Sequence, residues 1–236
     1  MNVKYTMFPL SENALTIRFF HEVSEQVNER VHQFTLMLQK QRWEGIVDIV
    51  PTFSSLTIYY DPLFVGAYER MCERLQTALE RLEQEVPPVP ERTIVIPVCY
   101  GGNFGPDLPD VAEYHGLTEQ EVINVHSHGT YKVFMIGFAP GFAYLGGLSL
   151  DIATPRRATP RIAVPAGSVG IAGNQTGIYP LSTPGGWQII GRTPLSLFRP
   201  HDPEPSLLRA GDIVRFQPIT EEDYRMWNDE RDSCHS

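Results

Sequence analysis

Proline and glycine are distributed very unevenly along this chain, and no other feature of the sequence restricts its fold as strongly. The 236 residues include 19 glycines and 20 prolines. Five of these lie within residues 1–85, and all the others lie between residues 86 and 220. Because both residue types interrupt regular structure, the two parts are expected to differ in architecture. The boundary is predicted at Val86–Pro90, where closely spaced prolines favour an extended connector.

The first part has clear hydrophobic periodicity. Leu15–Phe19 and Leu56–Tyr60 alternate as half-buried strands do, and shorter apolar runs at Tyr5–Phe8 and Ile46–Val50 predict two more strands. Two longer segments repeat apolar residues at the helical period, the first after a predicted N-cap at Ser24. The apolar positions are Val27, Val31, Phe34 and Leu38, then Val65, Tyr68, Met71, Cys72, Leu75, Leu79 and Leu82. The order ββαββα predicts that residues 1–86 form a small α+β sandwich, with both helices on one face of an antiparallel sheet.

The second part, residues 91–220, consists mainly of short apolar runs separated by glycine and proline. Such a pattern is typical of a β-barrel or sandwich with many turns. Two brief helices are predicted at Asp110–His115 and Thr118–His126, the second opening with a capping box of Thr118 and Glu121. Residues 221–236 are rich in charged side chains and are predicted to be a polar tail.

Composition excludes several classes of function. A net charge of −9 at pH 7 has the wrong sign for a nucleic-acid-binding chain, so no nucleic-acid partner is expected. No apolar run approaches the length of a membrane span, and the first residues do not resemble a secretory signal, so a cytoplasmic protein without membrane contact is expected. Cys72, Cys99 and Cys234 lie far apart and are predicted to be free thiols.

Positive charge is concentrated in one segment of this acidic chain. Between Ser127 and Pro200, Asp151 is the single acidic residue, whereas six residues are basic. The six are Lys132, Arg156, Arg157, Arg161, Arg192 and Arg199. Arginine binds carboxylates and phosphates bidentately, so the cluster predicts a site for a small anion. The alternative is that these arginines pair with acidic residues of the first part or are solvated at turns.

The sequence around Lys132 offers groups for proton transfer. Lys132 closely follows His126, His128 and Tyr131, and a lysine in that setting can move a proton or bind a phosphate, although a solvated lysine at a strand start is more common. Two histidines two residues apart diverge on a helix and no third ligand is evident nearby, so no metal site is predicted. The glycine-rich stretches match neither Gly-x-x-x-x-Gly-Lys-Ser/Thr nor Gly-x-Gly-x-x-Gly, two common nucleotide-binding patterns.

Aromatic residues occur among the glycines and prolines of the second part. They are Phe134, Phe138, Phe142, Tyr144, Tyr179 and Trp187. Aromatic residues beside turns either line a pocket or fill a barrel interior. A pocket is favoured for Tyr144 and Trp187, whose polar ends need partners.

Many short motifs in series give the chain a family resemblance. The motifs are Pro97–Gly102, Gly105–Leu108, His126–His128, Phe138–Gly147, Pro155–Arg157, Thr159–Arg161, Val164–Val169 and Pro180–Trp187. Together they resemble the family of bacterial 5-oxoprolinase B subunits, which includes the KipI-type inhibitor of a sporulation histidine kinase. They are also similar to part of the carboxyltransferase region of urea carboxylase, the domain called allophanate hydrolase subunit 1. The resemblance covers essentially the whole chain.

The resemblance implies an α+β N-terminal domain followed by a cyclophilin-like β-barrel, and it implies partners. In that family, the B subunit acts with the A and C subunits to hydrolyse 5-oxo-L-proline to L-glutamate at the expense of ATP. One subunit is expected to be inactive alone, and ATP is expected to bind in the complete assembly. The alternative implied by the same resemblance is a KipI-type inhibitor that binds a sporulation histidine kinase. A third alternative, carboxyl transfer to urea, is disfavoured because the Met-Lys-Met pattern of a biotin carrier is absent.

Residue chemistry within this hypothesis suggests candidate site residues. His128 and Lys132 are the candidate catalytic residues, since both can move protons. Arg156 and Arg161 are candidates for binding an anion. The remaining candidates for the substrate site are Gly141, Tyr144, Gly167, Ser168, Gly186 and Trp187. The three glycines are included because their backbone amides are accessible as hydrogen-bond donors.

Overall fold

The computed structural model describes residues 5–19, 24–41, 43–84 and 92–233. The chain divides into two compact units, residues 1–90 and 91–236. The predicted connector Val86–Pro90 and Cys234 lie outside the described residues. Cys72 and Cys99 are free thiols. Within the described ranges, no helix has the length and apolar character needed to cross a bilayer.

The first unit is a four-stranded antiparallel sheet with two long helices. Its strands have the spatial order β1-β2-β4-β3. In chain order the elements are β1 (Thr6–Ser11), β2 (Ala14–Arg18), α1 (Glu25–Gln41), β3 (Ile46–Pro51), β4 (Ser55–Tyr60), α2 (Pro62–Val65) and α3 (Tyr68–Gln84). Apolar residues of α1 and α3 form one core with those of β2 and β4. The predicted α+β sandwich with the order ββαββα is therefore confirmed.

The helix predicted to contain both Val65 and Tyr68 is instead interrupted. The short helix α2 ends at Gly66, which has a φ of +88° and donates its backbone N–H to the carbonyl of Pro62. A positive φ is readily adopted by glycine and stops a right-handed helix. The chain then starts α3 at Tyr68.

The second unit contains a closed seven-stranded barrel. Its strands have the spatial order β10-β7-β6-β13-β5-β12-β9. In chain order the elements of this unit are β5 (Thr93–Tyr100), α4 (Leu108–His115), α5 (Glu119–His128), β6 (Tyr131–Ile136), β7 (Ala143–Gly146), a short 3₁₀ helix (Leu150–Ile152), β8 (Arg161–Val164), β9 (Ser168–Ala172), β10 (Gln175–Ile178), β11 (Thr183–Gly185), β12 (Gln188–Arg192), β13 (Ile213–Pro218) and α6 (Glu221–Ser233). The expected cyclophilin-like β-barrel is thus confirmed as a closed barrel.

The barrel core is built from alternating strand residues and from the inner faces of α4 and α5. Val98, Tyr131, Val133 and Val214 are among its buried members. The predicted capping box at the start of α5 is present, because the Thr118 side chain accepts the Glu121 N–H and the Glu121 carboxylate accepts the Thr118 N–H. The two brief predicted helices are therefore present at close to the predicted positions.

A separate two-stranded antiparallel sheet, β8 paired with β11, lies outside the closed barrel, and β9 and β10 lie between these two strands in the chain. Val164 is paired with Thr183 and Arg161 with Gly185. This small sheet presents apolar residues to solvent, including Ile162, which is 91% exposed. We call this sheet of two non-consecutive strands, together with the preceding segment from Pro155, the outer hairpin.

The C-terminal segment differs from the predicted polar tail, because residues 221–233 form helix α6. The helix begins after Thr220, whose hydroxyl oxygen accepts the backbone N–H of Asp223 while the Asp223 carboxylate accepts the backbone N–H of Thr220. Tyr224 is buried, and its ring centroid lies 4.6 Å from that of Phe104. A capped first turn and one buried aromatic residue make a helix favourable despite the charged composition.

Candidate functional site

A cavity of about 220 Å³ lies between the outer hairpin and the aromatic residues at one end of the barrel. The residues that line it are Phe138, Phe142, Tyr144, Arg156, Pro160, Tyr179, Pro184, Gly185, Gly186 and Trp187. The volume suits a small metabolite, since pockets for drug-sized ligands are larger. Arg156, Tyr144, Gly186 and Trp187, four of the candidates from the sequence, line this one cavity.

Phe142 is the centre of the aromatic wall. Its ring makes edge-to-face contacts with Phe138, Tyr144, Tyr179 and Trp187, at centroid distances of 5.4, 4.8, 5.2 and 5.5 Å. Edge-to-face packing holds each ring in a defined orientation and adds to the stabilisation from burial. The aromatic residues therefore form both a pocket wall and a small core, where the sequence left the choice open.

Backbone strain marks the edge of this wall. Phe138 has a φ of +71° and is 65% exposed. A bulky residue with positive φ is rare and costs free energy, so such residues are concentrated at functional sites. Phe138 in this strained conformation is one of the residues that line the cavity.

The polar side-chain groups among the described lining residues are the Arg156 guanidinium, the Tyr144 and Tyr179 hydroxyls and the Trp187 indole N–H. Burial raises the pKa of Tyr144, and the charge of Arg156 opposes that rise. Burial likewise raises the pKa of Tyr179, opposed by a hydrogen bond from the Trp187 backbone and by the charge of Arg156. Both hydroxyls are therefore neutral at physiological pH.

Arg156 is the cation of this cavity, and it is exposed. None of the six ion pairs among the residues that the structure describes includes it. A guanidinium beside aromatic faces and hydroxyl groups can bind a carboxylate bidentately while the rings cover the apolar part of the ligand.

Arg161 is already paired with a carboxylate of its own unit, and its role in binding a ligand anion stays a prediction. Its Nη1 and Nη2 atoms donate to the two carboxylate oxygens of Asp107 at 2.8 and 2.6 Å. Hydrogen bonding to Asp107 raises the pKa of Arg161, opposed by burial. Arg157 also donates to Asp107, at 2.7 Å. Two of the six clustered basic residues are therefore paired with one buried carboxylate of the same unit.

Three further candidates lie outside the described lining of the cavity. The amide of Gly167 donates to the carbonyl of Tyr179 at 2.7 Å, so it is not available to a ligand. A Cβ atom at Gly167 would lie 2.4 Å from the carbonyl oxygen of Thr193, which explains glycine there by close packing. A Cβ atom at Gly141 would lie 2.9 Å from that of Phe198. Ser168 is buried in β9, where its carbonyl accepts the Tyr179 amide.

Neither predicted catalytic residue lies at the cavity. His128 is exposed at the end of α5, with its Nδ1 atom 2.8 Å from the carbonyl oxygen of Asn124. Lys132 lies in β6, opposite Gly146 of β7, at the other end of the strand from the loop that carries Phe138. The structure therefore does not bring His128 and Lys132 together with Arg156 at this cavity, and their catalytic role stays a prediction.

His126 is buried inside the barrel, whereas His128 faces solvent. Its Nδ1 lies 2.7 Å from the Tyr100 hydroxyl, and its Nε2 lies 2.9 Å from the Thr176 hydroxyl. Thr176 donates its proton to the carbonyl of Gly170, so Nε2 carries the imidazole proton and Nδ1 accepts from Tyr100. Burial lowers the pKa of His126 to about 3, which keeps the imidazole neutral.

Sequence reasoning missed Asp107 and Tyr179 as site-forming residues. Asp107 lies in the motif Gly105–Leu108, and the excess of arginine over acid between Ser127 and Pro200 was a signal that a carboxylate must come from elsewhere. Tyr179 was recognised as one of the aromatic residues, but its position in the cavity depends on the pairing of β9 with β10.

Comparison with known proteins agrees with this architecture. The family model described as carboxyltransferase domain, subdomain C and D, matches residues 5–208. The 5-oxoprolinase B subunit of Bacillus subtilis (strain 168) is 48% identical, over 98% of this chain and 99% of its own length. The relationship thus extends over both compact units.

Solved structures show the same fold. The crystal structure of TTHA0988 superposes with a TM-score of 0.77 at 36% identity, covering 89% of this chain but 40% of that longer one. The urea carboxylase of Kluyveromyces lactis superposes with a TM-score of 0.72 over 95% of this chain and 22% of its own, and at 19% identity it shows the fold alone. On the family match and the near full-length identity, the chain belongs to the family of 5-oxoprolinase B subunits.

Proposed function

We propose that this chain is the B subunit of a cytoplasmic ATP-dependent 5-oxoprolinase, which hydrolyses 5-oxo-L-proline to L-glutamate together with the A and C subunits. The observation that carries the proposal is the 48% identity to a protein named as the B subunit of 5-oxoprolinase, over nearly the whole length of both chains. The aromatic cavity supports it, because its size and polar groups suit a small ring that bears a carboxylate.

The cavity accounts for binding of the acid. The guanidinium of Arg156 pairs with the substrate carboxylate, and the rings of Phe142 and Trp187 pack against the apolar part of the five-membered ring. The neutral hydroxyls of Tyr144 and Tyr179 supply hydrogen bonds. This arrangement orients a lactam, and orientation is a large part of catalysis.

The cavity does not suit a nucleoside triphosphate such as ATP. Among its described lining residues there is one cation and no carboxylate to hold Mg²⁺. We therefore assign ATP to the other subunits, with activation of the lactam carbonyl in the complete assembly. A single chain is accordingly expected to be inactive.

Reconstitution with each subunit omitted in turn tests the proposed function. ATP-dependent glutamate release is expected when the A and C subunits are combined with this chain, and background release is expected when this chain is left out. Full turnover by the A and C subunits alone would contradict the proposal. Suppression of histidine kinase autophosphorylation at near-stoichiometric ratio, with no lactam consumed, would instead favour the regulatory alternative.

The Arg156→Ala variant is expected to raise the KM for 5-oxo-L-proline about 30-fold in the reconstituted enzyme, because it removes a charge-assisted hydrogen bond to the substrate. Arg156→Lys retains the charge but not the bidentate geometry, so a smaller increase is expected. The control is Arg199→Ala, which removes an exposed arginine outside the cavity. Equal KM values for wild type and Arg156→Ala would remove Arg156 from the substrate site.

A further inference from the structure

Asp107 is a buried carboxylate that joins three separate parts of the barrel unit. The residue is 1% exposed and immediately precedes helix α4. Its carboxylate nevertheless makes no capping hydrogen bond to the first turn of that helix. Its oxygens accept from Arg157, from both terminal nitrogens of Arg161 and, at 2.6 Å, from the backbone N–H of Ile189. The Asp107 N–H also donates to the Ile189 carbonyl at 2.9 Å.

Both arginines belong to the outer hairpin, and Ile189 belongs to barrel strand β12. The backbone N–H of Arg157 donates to the Gly186 carbonyl at 2.8 Å, which connects the two sides of the hairpin. Charge-assisted bonds of a buried carboxylate are strong and directional, and bidentate pairing with arginine also sets the orientation of the planes. Asp107 therefore attaches the outer hairpin to the barrel at a defined position.

The outer hairpin provides one side of the cavity. Half of the lining residues come from this hairpin and from the glycine that follows it. They are Arg156, Pro160, Pro184, Gly185 and Gly186. The opposite side, which includes Phe142 and Tyr144, comes from the β6–β7 region of the barrel. A shift of the hairpin would therefore change the distance between Arg156 and the aromatic wall.

We propose that Asp107 is a positioning residue that holds the outer hairpin, and with it Arg156, at the distance from the aromatic wall that binding of the acid substrate requires. The identity of the substrate in this inference rests on the proposed function, whereas the attachment of the outer hairpin by Asp107 does not. Asp107 itself lies outside the described lining of the cavity, so it acts through Arg157 and Arg161.

Arg161→Gln tests the attachment while leaving Asp107 bonded to Arg157 and Ile189. In the full chain, amide hydrogen exchange of the outer hairpin, including the Arg157 N–H, is expected to become about tenfold faster, because local opening follows local contacts. Exchange at the β9–β10 pair of the barrel is expected to remain as in wild type. Equal acceleration at both places, or no change at the hairpin, would overturn the proposal.

The matched control is Arg92→Gln. Arg92 also pairs bidentately with a buried aspartate, Asp212, in the same unit, but it lies outside the lining of the aromatic cavity. This variant loses the same kind of bond and is expected to leave hairpin exchange unchanged. Faster hairpin exchange in Arg92→Gln would show that general loss of stability, not attachment by Asp107, is being measured.

The kinetic measurement distinguishes positioning from general stability. In the reconstituted enzyme, Arg161→Gln is expected to raise the KM for 5-oxo-L-proline about tenfold with a smaller change in kcat, since misplacing a binding group weakens substrate binding first. Arg161→Lys, which can restore one bond to Asp107, is expected to recover part of the loss. An unchanged KM would overturn the positioning role. Should the wild-type assembly show no 5-oxoprolinase activity, the proposed function fails, and the exchange experiment still decides whether Asp107 holds the hairpin.

Discussion

Replacing Asp107 with alanine is expected to lower the free energy of unfolding of the barrel unit by about 3 kcal/mol, because one change removes an acceptor shared by several donors. The Ile189 amide is left without its bond in a buried setting, and two guanidinium groups lose their counterion. The arginine side chains are 34% and 26% exposed, so water compensates part of their loss. Urea unfolding measures the effect.

A surface ion pair provides the control for this prediction. Asp202 pairs with Arg199 at 3.2 Å, and both side chains are largely exposed. Asp202→Ala is expected to change the free energy of unfolding by less than about 0.5 kcal/mol. If Asp107→Ala proves as mild as Asp202→Ala, then the buried network does not stabilise the barrel in the way described.

Acid is expected to destabilise the barrel through His126. The pKa of this histidine is about 6.5 in an unfolded chain and about 3 in the folded barrel, where burial lowers it. The neutral form is therefore favoured by folding, and the stabilisation is complete above pH 6.5 and is lost as the pH falls towards 3. At about pH 4 the loss amounts to about 3 kcal/mol. Urea unfolding at a series of pH values measures it.

Two variants isolate the contribution of His126 from that of the carboxylates. His126→Asn removes the titrating group, so we expect lower stability at neutral pH but a shallower fall between pH 6.5 and 4. His128→Asn changes an exposed histidine on the same helix and is expected to leave the wild-type profile unchanged. Parallel profiles for wild type and His126→Asn would mean that another group causes the acid sensitivity.

The arginine cluster shows what a count of charges along the sequence can predict and what it cannot. The excess of basic residues between Ser127 and Pro200 points to the region that contains the cavity and its cation, Arg156. It does not distinguish Arg156 from Arg161, because the difference lies in Asp107, about fifty residues earlier in the chain. Ion pairing in a folded chain depends on distance in space, and a local count of charges contains no such information.

The two histidines of α5 show a similar limit. A spacing of two residues predicts that His126 and His128 point in different directions on a helix. Which of them faces the interior depends on where α5 packs against Phe216 of β13, and that ring stacks on His126 at 4.5 Å. Residue chemistry makes His128 a candidate acid or base, but it is exposed and lies outside the described lining of the cavity.

Local patterns in the sequence alone were enough to determine the two-part architecture, the strands and helices of the first unit apart from the break at Gly66, and the capped helix α5. Such features depend on hydrophobic period, on caps and on proline or glycine, all of which act between residues close in the chain. Only the tertiary structure decided which arginine lines the cavity, which rings surround it and how the outer hairpin is held. Those features arise when barrel closure brings distant strands together, and the free energy of each contact then depends on partners and burial that no short segment contains.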